Sequence, residues 1–573
     1  MSALDYAVIA VYLLGIVALG AWAGRAKSLS TVSDFFLGGR RFPWWVVGTS
    51  MVATTFAADT PLTVAGLTIN DGVAGNWFWW SMAISHVLVA VVLARLWRRA
   101  GVVTDAEFCE LRYQGRGATL LRGLKAFYFA VPINCIVMGW VFLAMLKVSA
   151  AVLPEVPPWG VVLGLLGLTL VYSVRSGFHG VVITDLVQFP IALIGALLLA
   201  WFALDAAGGL DAVVAGAVAA KGPALIDLFP VGGELLPWES LAAFLGVQWW
   251  AQKYADGGGI FVQRMLSART ERDAELGGLW FVVAHYVLRP WPWILAGMAA
   301  IVLVPEAVAL DAEAAYAQLI VEVLPAGFRG LLVASFLAAF MSTMDTHMNW
   351  GASYVVNDLV GRWWPLSPER VRLASRVCVA AIAGLALVAT AMMDSIAGAW
   401  EFLTAFGAGA GAVMLLRWYW WRVNAAAEIS AMAASTVLSV GVYLFAPEWT
   451  YLAKLGLIVA GSTAVWLPCA LLGSRDPAAL VPFYEKVRPP GPGWGSVARA
   501  AGLPAPTPLG PDLLRWLAAL ACVMACLLGT GKALLGAPAY GVSVAVAGAV
   551  GIGLLGRSRA RVTSGLHQAA TGL

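Results

Sequence analysis

Oxygen-bearing side chains recur between Ser335 and Asn349, inside a segment whose other residues are suited to lipid. On a helix, the small and polar residues of this segment share one side, at i, i+3, i+4 and i+7 spacing. They are Ser335, Ala338, Ala339, Ser342, Asp345, Thr346 and Asn349. An ionisable group within a membrane span is costly and is a functional hypothesis by default. Oxygen ligands without sulfur or imidazole suit an alkali or alkaline-earth cation, so this stripe predicts a site for a hard cation.

The composition places this segment in a membrane. Of the 573 residues, 61% are hydrophobic and 12% are charged, whereas a soluble domain carries about 25% charged residues. Apolar runs of about 20 residues predict about fifteen spans. They begin near residues 4, 43, 76, 123, 156, 179, 238, 277, 328, 369, 395, 425, 453, 513 and 538. We therefore expect an all-α, multi-pass protein of the inner or plasma membrane, in contact with the lipid bilayer.

Basic residues concentrate in alternate loops, and this bias orients the spans. Clusters of Arg and Lys occur at residues 25–41, 98–122, 253–272, 362–376 and 557–561. The intervening loops are acidic, for example at Asp71, Glu155 and Glu306. These charges predict an N-terminus outside the cell, a C-terminus inside, and an odd number of spans. The net charge of +4 mostly reflects this loop bias and gives no reason to expect a nucleic-acid partner.

Two of the predicted spans are interrupted at mid-depth. The second span contains Asp59-Thr-Pro61, and the proline ring removes a backbone donor. The seventh span is interrupted by Lys253-Tyr-Ala-Asp-Gly-Gly-Gly259. Because the breaks are five spans apart, the two broken helices run in opposite directions, which is typical of inverted-repeat transporters with a binding site between the halves. Unpaired backbone groups at this depth are tolerated only beside protein or a water-filled cavity, so the breaks predict a transport pathway.

Four motifs resemble those of one known family. They are Asp34-Phe-Phe-Leu-Gly-Gly-Arg-Arg41, the run from Tyr172 to Gln188, Gln263-Arg264 followed by Ala268-Arg269, and Ala338-Ala-Phe-Met-Ser-Thr343. Together they resemble the sodium:solute symporter family, the relatives of sodium-driven proline, sugar and sialic acid transporters, over about residues 5–475. The resemblance implies a LeuT-type core of two inverted five-helix repeats. It places an extra helix and loop at 1–42, the repeats at 43–204 and 205–424, and accessory helices at 425–573 with a cytoplasmic linker at 474–512.

The resemblance also implies a main sodium site between the second and ninth spans. Its ligands would be the carbonyl groups of Ala53, Phe56 and Ala339 and the hydroxyl groups of Ser342 and Thr343. All of these ligands are neutral, which suits a monovalent ion that must leave again. The residues themselves leave an alternative, in which the two hydroxyls bond back to carbonyls of their own helix.

Some members of the family hold a second sodium, and the matching positions here are Asp185, Ser342, Asp345 and Thr346. Asp345 departs from the hydroxyl pattern of the family. Two nearby carboxylates repel each other unless a cation lies between them or one takes a proton. We therefore expect a tighter second cation site or a proton-linked one, with a structural ion pair between Asp345 and a basic side chain as the alternative.

The family geometry implies a solute site at the two breaks. Its candidate residues are Thr55, Asp59, Thr60, Trp79, Trp80, Gln248, Trp249, Gln252, His285, Trp400 and Glu401. Tryptophan rings can stack on a sugar or hold a cation, although each could instead be an interfacial anchor. Asp59 either faces an ammonium or hydroxyl group of the solute or caps the second half-helix, and His285 is either a polar gate or a helix contact. The glycine-rich segment 253–259 departs from the family pattern, so the substrate is not inherited from the resemblance.

These expectations describe a secondary active transporter and not an enzyme. Sodium moving inward is expected to drive import of a small polar organic solute, of sugar, amino acid or carboxylate type, by alternating access. Proton coupling through the buried carboxylates is one alternative, and a membrane sensor built on a transporter core is another. Na+ is the expected coupling ion, without an organic cofactor. The expected partners are the solute and the bilayer, with no nucleic acid and no obligate protein partner.

Overall fold

The computed structural model describes residues 1–25, 37–173, 178–230, 232–364, 367–473 and 476–571. Within these ranges the chain is helical, apart from connecting turns and one β-bridge between Phe42 and Ala268. Parts of two family-like motifs, residues 34–36 and 174–177, lie outside the described residues.

In the described ranges, a long or broken helix begins near each predicted span start. The first group contains α1 (Ala3–Arg25), α2a (Trp44–Thr54), α2b (Asp59–Asp71), α3a (Val73–Trp80), α3b (Ala83–Ala100), α4 (Gly115–Val152), α5 (Pro158–Ser173) and α6 (Phe178–Ala206). The second contains α7a (residues 238–251), α7b (Gly259–Ser267), α8 (Glu271–Leu303), α9 (Phe328–Val360), α10 (Pro368–Thr390), α11a (Ile396–Phe406) and α11b (Gly411–Tyr419). The last contains α12 (Ala425–Phe445), α13 (Tyr451–Leu472), α14 (Gly510–Leu534) and α15 (Pro538–Thr571).

Fewer of the described helices than predicted are long and apolar enough to span a membrane. Among the described residues, nine are long and apolar enough, and the bent pairs α3a–α3b (41°) and α11a–α11b (48°) raise the number to eleven. The remaining predicted spans are α1, α2, α5 and α7. The predicted number of about fifteen spans is larger than the number of described helices that are long and apolar enough. The reason is that α2 and α7 are each divided into two short pieces, and that the apolar parts of α1 and α5 are short.

Both predicted breaks are present. Residues 55–58 separate α2a from α2b, and Pro61 lies in the first turn of α2b, where a proline costs no intrahelical hydrogen bond. Residues 252–258 separate α7a from α7b. Within this second break Gly257 has a φ of +106°, and a Cβ there would lie 2.9 Å from a methyl carbon of Val89. Glycine is therefore required at this position both for its conformation and for space.

α8 lies against both halves of the broken α2 at close glycine contacts. A Cβ added to Gly48 would lie 2.5 Å from the carbonyl oxygen of Gly277, and one added to Gly297 would lie 3.0 Å from the Cα of Ala65. Small residues allow helices in a membrane to approach this closely. α8 is thus a continuous support for the two half-helices.

A buried ionic cluster ties the α7 break to α11b and α12. Arg417 Nη2 lies 2.6 Å from Asp256 Oδ2, and Arg417 Nη1 lies 3.2 Å from Glu428 Oε1. Lys125 Nζ of α4 lies 3.6 Å from Glu428 Oε2. A buried ion pair resists separation, because removal of one partner leaves the other charge uncompensated. The cluster therefore fixes the position of the break.

α11 bends at residues 407–410, where it meets the end of α7a. A Cβ added to Gly411 would lie 2.2 Å from the carbonyl oxygen of Ala251, and one added to Gly407 would lie 2.6 Å from the Cβ of Lys253. The α11 bend and the α7 break therefore pack with no room for a side chain at either glycine.

The accessory helices pack on this core. Within the predicted linker 474–512, the short helices Val481–Val487 and Gly495–Ala500 are ordered, and Trp494 Nε1 donates to the carbonyl of Trp418 at 2.8 Å. The first turn of α14 is fixed by an ion pair between Asp512 and Arg95 of α3b. The linker is thus part of the folded body.

Candidate functional site

The α2 break turns carbonyl groups away from the regular helical pattern. The N–H of Thr55 donates to Val52 O at 3.1 Å, and the N–H of Phe56 donates to Ala53 O at 3.0 Å. Both bonds span three residues instead of the four of an α-helix, so the regular helix ends here. Ala53 and Phe56, whose carbonyls are the predicted sodium ligands here, are both buried.

Arg289 of α8 holds the other carbonyls of the break. Its Nη1 donates to Val52 O and to Thr55 Oγ1, both at 3.1 Å, and its Nη2 donates to Thr55 O at 3.0 Å. The guanidinium carbon lies 5.0 Å from the centre of the Trp293 ring. A planar guanidinium can satisfy several acceptors at once, which a lysine cannot. Arg289 was not among the predicted site residues, although an arginine directly before Pro290 in an apolar span was a visible signal.

A cavity of about 270 Å³ lies between the breaks of α2 and α7. Its walls also include residues of α3, α4, α8, α9 and α11. The predicted site residues that line it are Thr55, Asp59, Thr60, Trp79, Gln252, His285, Thr343 and Trp400. Lining residues that were not predicted include His86, Trp140, Lys253, Tyr254, Arg289 and His347. The cavity thus brings most of the predicted solute residues together with Thr343 of the predicted sodium set.

Neutral polar groups in the cavity wall bond to one another. Thr55 Oγ1 lies 3.1 Å from His285 Nδ1, and His86 Nδ1 lies 2.6 Å from the Tyr286 hydroxyl. The Trp79 ring stacks on Tyr286 with the ring centres 5.6 Å apart. These contacts hold α2, α3 and α8 in a fixed arrangement around the cavity, and they give His285 a direct contact with the α2 break.

Trp80 and Gln248 are predicted solute residues that lie behind the cavity wall. Trp80 is fully buried and packs edge-on against Trp77, with ring centres 5.7 Å apart. Gln248 Nε2 donates to Ser81 Oγ at 3.1 Å, and its Oε1 accepts from the Tyr451 hydroxyl at 2.7 Å. Both residues therefore support the wall instead of lining it.

Trp249 and Glu401, also predicted solute residues, face neighbouring helices. The Trp249 ring lies 5.7 Å from that of Trp516 in α14, and Glu401 Oε1 accepts from the Tyr443 hydroxyl of α12 at 3.1 Å. Adjacent residues on a helix point in different directions, so of the neighbours Trp400 and Glu401 only Trp400 lines the cavity.

On α9 the predicted sodium residues are Ala339, Ser342 and Thr343. Ala339 and Thr343 are buried, and Ser342 is half-buried. In the described part of the chain, neither hydroxyl bonds back to a carbonyl of α9, whereas Ser335 does so, to Leu332 O at 2.7 Å. The back-bonded alternative therefore does not describe Ser342 and Thr343. Hydroxyl groups that their own helix does not use are available to a ligand.

The two carboxylates of the predicted second site have different surroundings. Asp185 Oδ2 accepts from Ser50 Oγ at 2.6 Å and lies 3.8 Å from Arg264 Nη2. Asp345 Oδ1 accepts from Asn349 Nδ2 at 2.5 Å. Both carboxylates are buried, at 1% and 2% exposure, while Thr346 is half-buried. Asp185 thus ties α6 to α2a and α7b, and the grouping of Asp185, Ser342, Asp345 and Thr346 around a cation stays a prediction.

Residues 35–435 match the model of one protein family, the sodium:solute symporter family. The chain belongs to this family. The sodium/glucose cotransporter of Vibrio parahaemolyticus is 26% identical over 465 residues, which cover 76% of this symporter and 84% of that protein. The sodium/glucose cotransporter 1 of Sus scrofa is 25% identical over 440 residues, which cover 69% of this symporter and 64% of that protein.

A solved structure supports the same fold. The substrate-bound outward-open state of a Na+-coupled sialic acid symporter has a TM-score of 0.65 and 19% sequence identity, and the likeness covers 82% of this symporter and 98% of that chain. The predicted family, LeuT-type helical fold, sodium coupling and location in the cell membrane are thereby confirmed. This symporter is a multi-pass membrane protein that couples sodium to the movement of a small solute.

Proposed function

We propose that this symporter imports a small polar organic solute, and that sodium binds where the α2 break meets α9. The ion would be held by the carbonyl groups of Ala53, Phe56 and Ala339 and the hydroxyl groups of Ser342 and Thr343. One observation carries the proposal: the Thr343 hydroxyl, which α9 itself leaves unused, lines a cavity that residues of the α2 break also line. Neutral oxygen ligands suit a hard monovalent cation.

Coupling follows from where this ion would sit. An ion shared by α2 and α9 stabilises the arrangement in which they meet, and so favours the conformation that accepts the solute. The shift is limited to the difference between the ion's affinities for the two conformations. The solute would occupy the cavity between the breaks, in contact with Asp59, Trp79 and Trp400.

The sodium site can be tested before the solute is known. Purified protein is heated in matched NaCl and KCl series, because a ligand that binds the folded state raises the melting temperature. We expect a sodium-specific increase in the melting temperature, and in the double variant S342A/T343A the same increase should require roughly thirtyfold more sodium, since each of the two lost ligands costs on the order of 1 kcal/mol.

Ser335→Ala is the matched control, because Ser335 is buried on the same helix and already bonds to Leu332 O. It should leave the sodium response unchanged. A sodium response that is equal in the wild type and in S342A/T343A would contradict this placement of the ion.

Movement of a proton together with sodium is the second candidate, since the Asp59 carboxylate lines the cavity and is only 5% exposed. Uptake into liposomes separates the two mechanisms. Coupling to sodium alone predicts accumulation that is driven by a sodium gradient and is unchanged by an added pH gradient. Stronger accumulation when an inward proton gradient is added to the sodium gradient would favour the proton.

A further inference from the structure

Lys253, in the α7 break, is a buried cation at the cavity wall. Its side chain lines the cavity and the residue is 4% exposed. Its Nζ donates to the carbonyl of Leu403 at 3.1 Å and lies 5.0 Å from the centre of the Tyr254 ring. An ammonium group has three donors, so two remain after the bond to Leu403.

No carboxylate of the described residues lies within 4.0 Å of this ammonium, a property that it shares with Lys454 but not with Lys125 or the half-buried Lys147. Lys125 lies 3.6 Å from Glu428, and Lys147 lies 2.7 Å from Glu313. Burial of a charge is costly unless an opposite charge and hydrogen bonds compensate it. An anion that enters the cavity would supply the opposite charge that no described carboxylate supplies to Lys253.

The surrounding backbone is built to hold this side chain in place. Gly407 lies against it so closely that an added Cβ would be 2.6 Å from the Cβ of Lys253 and 2.9 Å from its Cγ. Gly258 and Ile260, at the start of α7b, line the same cavity. The N-terminal end of a helix carries a partial positive charge that favours anions. The N–H of Gly259 in this first turn already donates to Asp105 Oδ2 at 3.1 Å, so the helix end has its own anion and Lys253 is the feature that favours a negative group at this end of the cavity.

Of the two cations in the cavity wall, Lys253 makes one hydrogen bond and Arg289 makes three. The Lys, Arg, Asp and Glu side chains that line it are Lys253, Arg289 and Asp59, so their net formal charge is +1. Arg289 already holds the α2 break with three hydrogen bonds. Gln252 donates to Ser85 Oγ at 3.4 Å, and His285 bonds to Thr55. Neutral groups such as the Thr343 hydroxyl remain for a polar substituent of the solute, whereas the Lys253 ammonium keeps donors for a carboxylate.

We propose that the solute is a small organic carboxylate whose negative charge is bound by Lys253. This inference rests on the proposed import function and names the class of solute. The carboxylate accepts hydrogen bonds from the Nζ donors that Leu403 does not use. Asp59, on the opposite break, then faces the remainder of the solute. The substituent at that end is a hydroxyl or keto group in a hydroxy or keto acid, and an ammonium group in an amino acid.

The test uses full-length protein in liposomes with an inward sodium gradient. Labelled lactate, pyruvate, alanine, betaine and glucose are offered singly, and the amide of each accepted acid, in which an uncharged group replaces the carboxylate, is offered as a competitor. We expect sodium-dependent accumulation of a carboxylate and at least tenfold weaker competition by its amide. Accumulation of glucose alone, or equal competition by acid and amide, would overturn the inference. Comparison of the uptake of lactate and pyruvate with the uptake of alanine and betaine shows which substituent the site accepts.

Variants of Lys253 then locate the binding group. Lys253→Gln should raise the KM for the accepted carboxylate at least tenfold, while the sodium-induced rise in melting temperature persists. Lys253→Arg should keep more of the affinity, because it keeps the charge. Lys454→Gln is the matched control, since Lys454 is also buried, bonds to Pro447 O at 2.8 Å and lies 4.7 Å from the Tyr443 ring, but is not part of the cavity lining.

Failure of the inference and failure of the import proposal give different results. An unchanged KM in Lys253→Gln with a normal sodium response overturns the role of Lys253 alone. Absence of any sodium response in the wild type overturns the proposed function itself. If Lys253→Gln does not fold, the comparison of acid with amide in the wild type and the KM of Lys253→Arg still decide.

Discussion

Asp185 on α6 accepts a hydrogen bond of 2.6 Å from Ser50 on α2a, and the same carboxylate oxygen lies 3.8 Å from Nη2 of Arg264 on α7b. Arg264 Nε also donates to Ser50 Oγ at 3.2 Å. The three residues are buried and connect both broken helices to α6. A carboxylate that was predicted as a cation ligand therefore already takes part in a structural contact between the two halves of the protein.

We predict that Asp185 and Arg264 are energetically coupled. Asp185→Asn and Arg264→Gln should each lower the melting temperature, and the double variant should lower it by less than the sum of the two. The coupling corresponds to about 1–3 kcal/mol, because each residue compensates the buried charge of the other. Thermal unfolding of the four proteins in one detergent measures it. Strictly additive losses would show that the pair is not coupled.

Asp345→Asn should change either the number of sodium ions per transport cycle or the pH dependence of uptake. The carboxylate is buried on the same helix as the proposed sodium hydroxyls, and its predicted role is to bind a second cation or a proton. The ratio of sodium flux to solute flux measures the number of sodium ions per cycle, and the rate of solute uptake at several pH values measures the pH dependence. Asp394→Asn, an exposed carboxylate before α11a, is the control and should change neither quantity. If Asp345→Asn also changes neither, the second cation or proton site is refuted.

Arg289→Lys should destabilise the protein even though it keeps the positive charge. A lysine cannot supply the planar set of donors that holds Val52 O and Thr55 O. Each buried acceptor left without a partner costs about 1–3 kcal/mol, so the melting temperature should fall by several degrees and uptake should be lost. Arg99→Lys, in a partly exposed pair with Glu271, should have little effect. Full stability of Arg289→Lys would contradict the role assigned to this arginine.

Gly411→Ala should prevent correct folding or strongly lower stability. Its Cβ would lie 2.2 Å from the carbonyl oxygen of Ala251, which is backbone and cannot rotate away. Gly441→Ala in α12 is the matched control, because nothing lies within 4 Å of its Cβ. In a helix that change is neutral or stabilising by up to about 1 kcal/mol. Size-exclusion profiles and melting temperatures compare the two, and equal behaviour would refute the close contact.

Much of the fold was predictable because the membrane restricts it strongly. Each span requires a long apolar run, and the described helices begin near the predicted starts. The two breaks were predictable because Pro61 and the glycines at 257–259 carry local signals. Hydropathy alone did not distinguish long apolar helices from short ones. The apolar parts of α1 and α5 are short, yet both helices were predicted as spans.

The side chains of the site were less predictable, because their direction depends on packing between helices far apart in sequence. Trp79 lines the cavity while Trp80 beside it is buried behind the wall. Lys253 was predicted as part of a glycine-rich break and as a basic residue of a cytoplasmic loop, whereas it is buried in the cavity wall. The absence of a described carboxylate beside it depends on the neighbouring helices. Arg289 had a local signal, an arginine before a proline, but its acceptors lie on α2.

The close contact between Gly411 and Ala251 limits how the transport cycle can proceed. The carbonyl oxygen of Ala251 occupies the space beside Gly411, and the Arg417–Asp256 ion pair joins the same two segments at 2.6 Å. The α7 break and α11b therefore cannot slide past each other without unpacking. When access alternates between the two sides of the membrane, they must travel as one rigid body, and the moving boundary must lie elsewhere in the bundle.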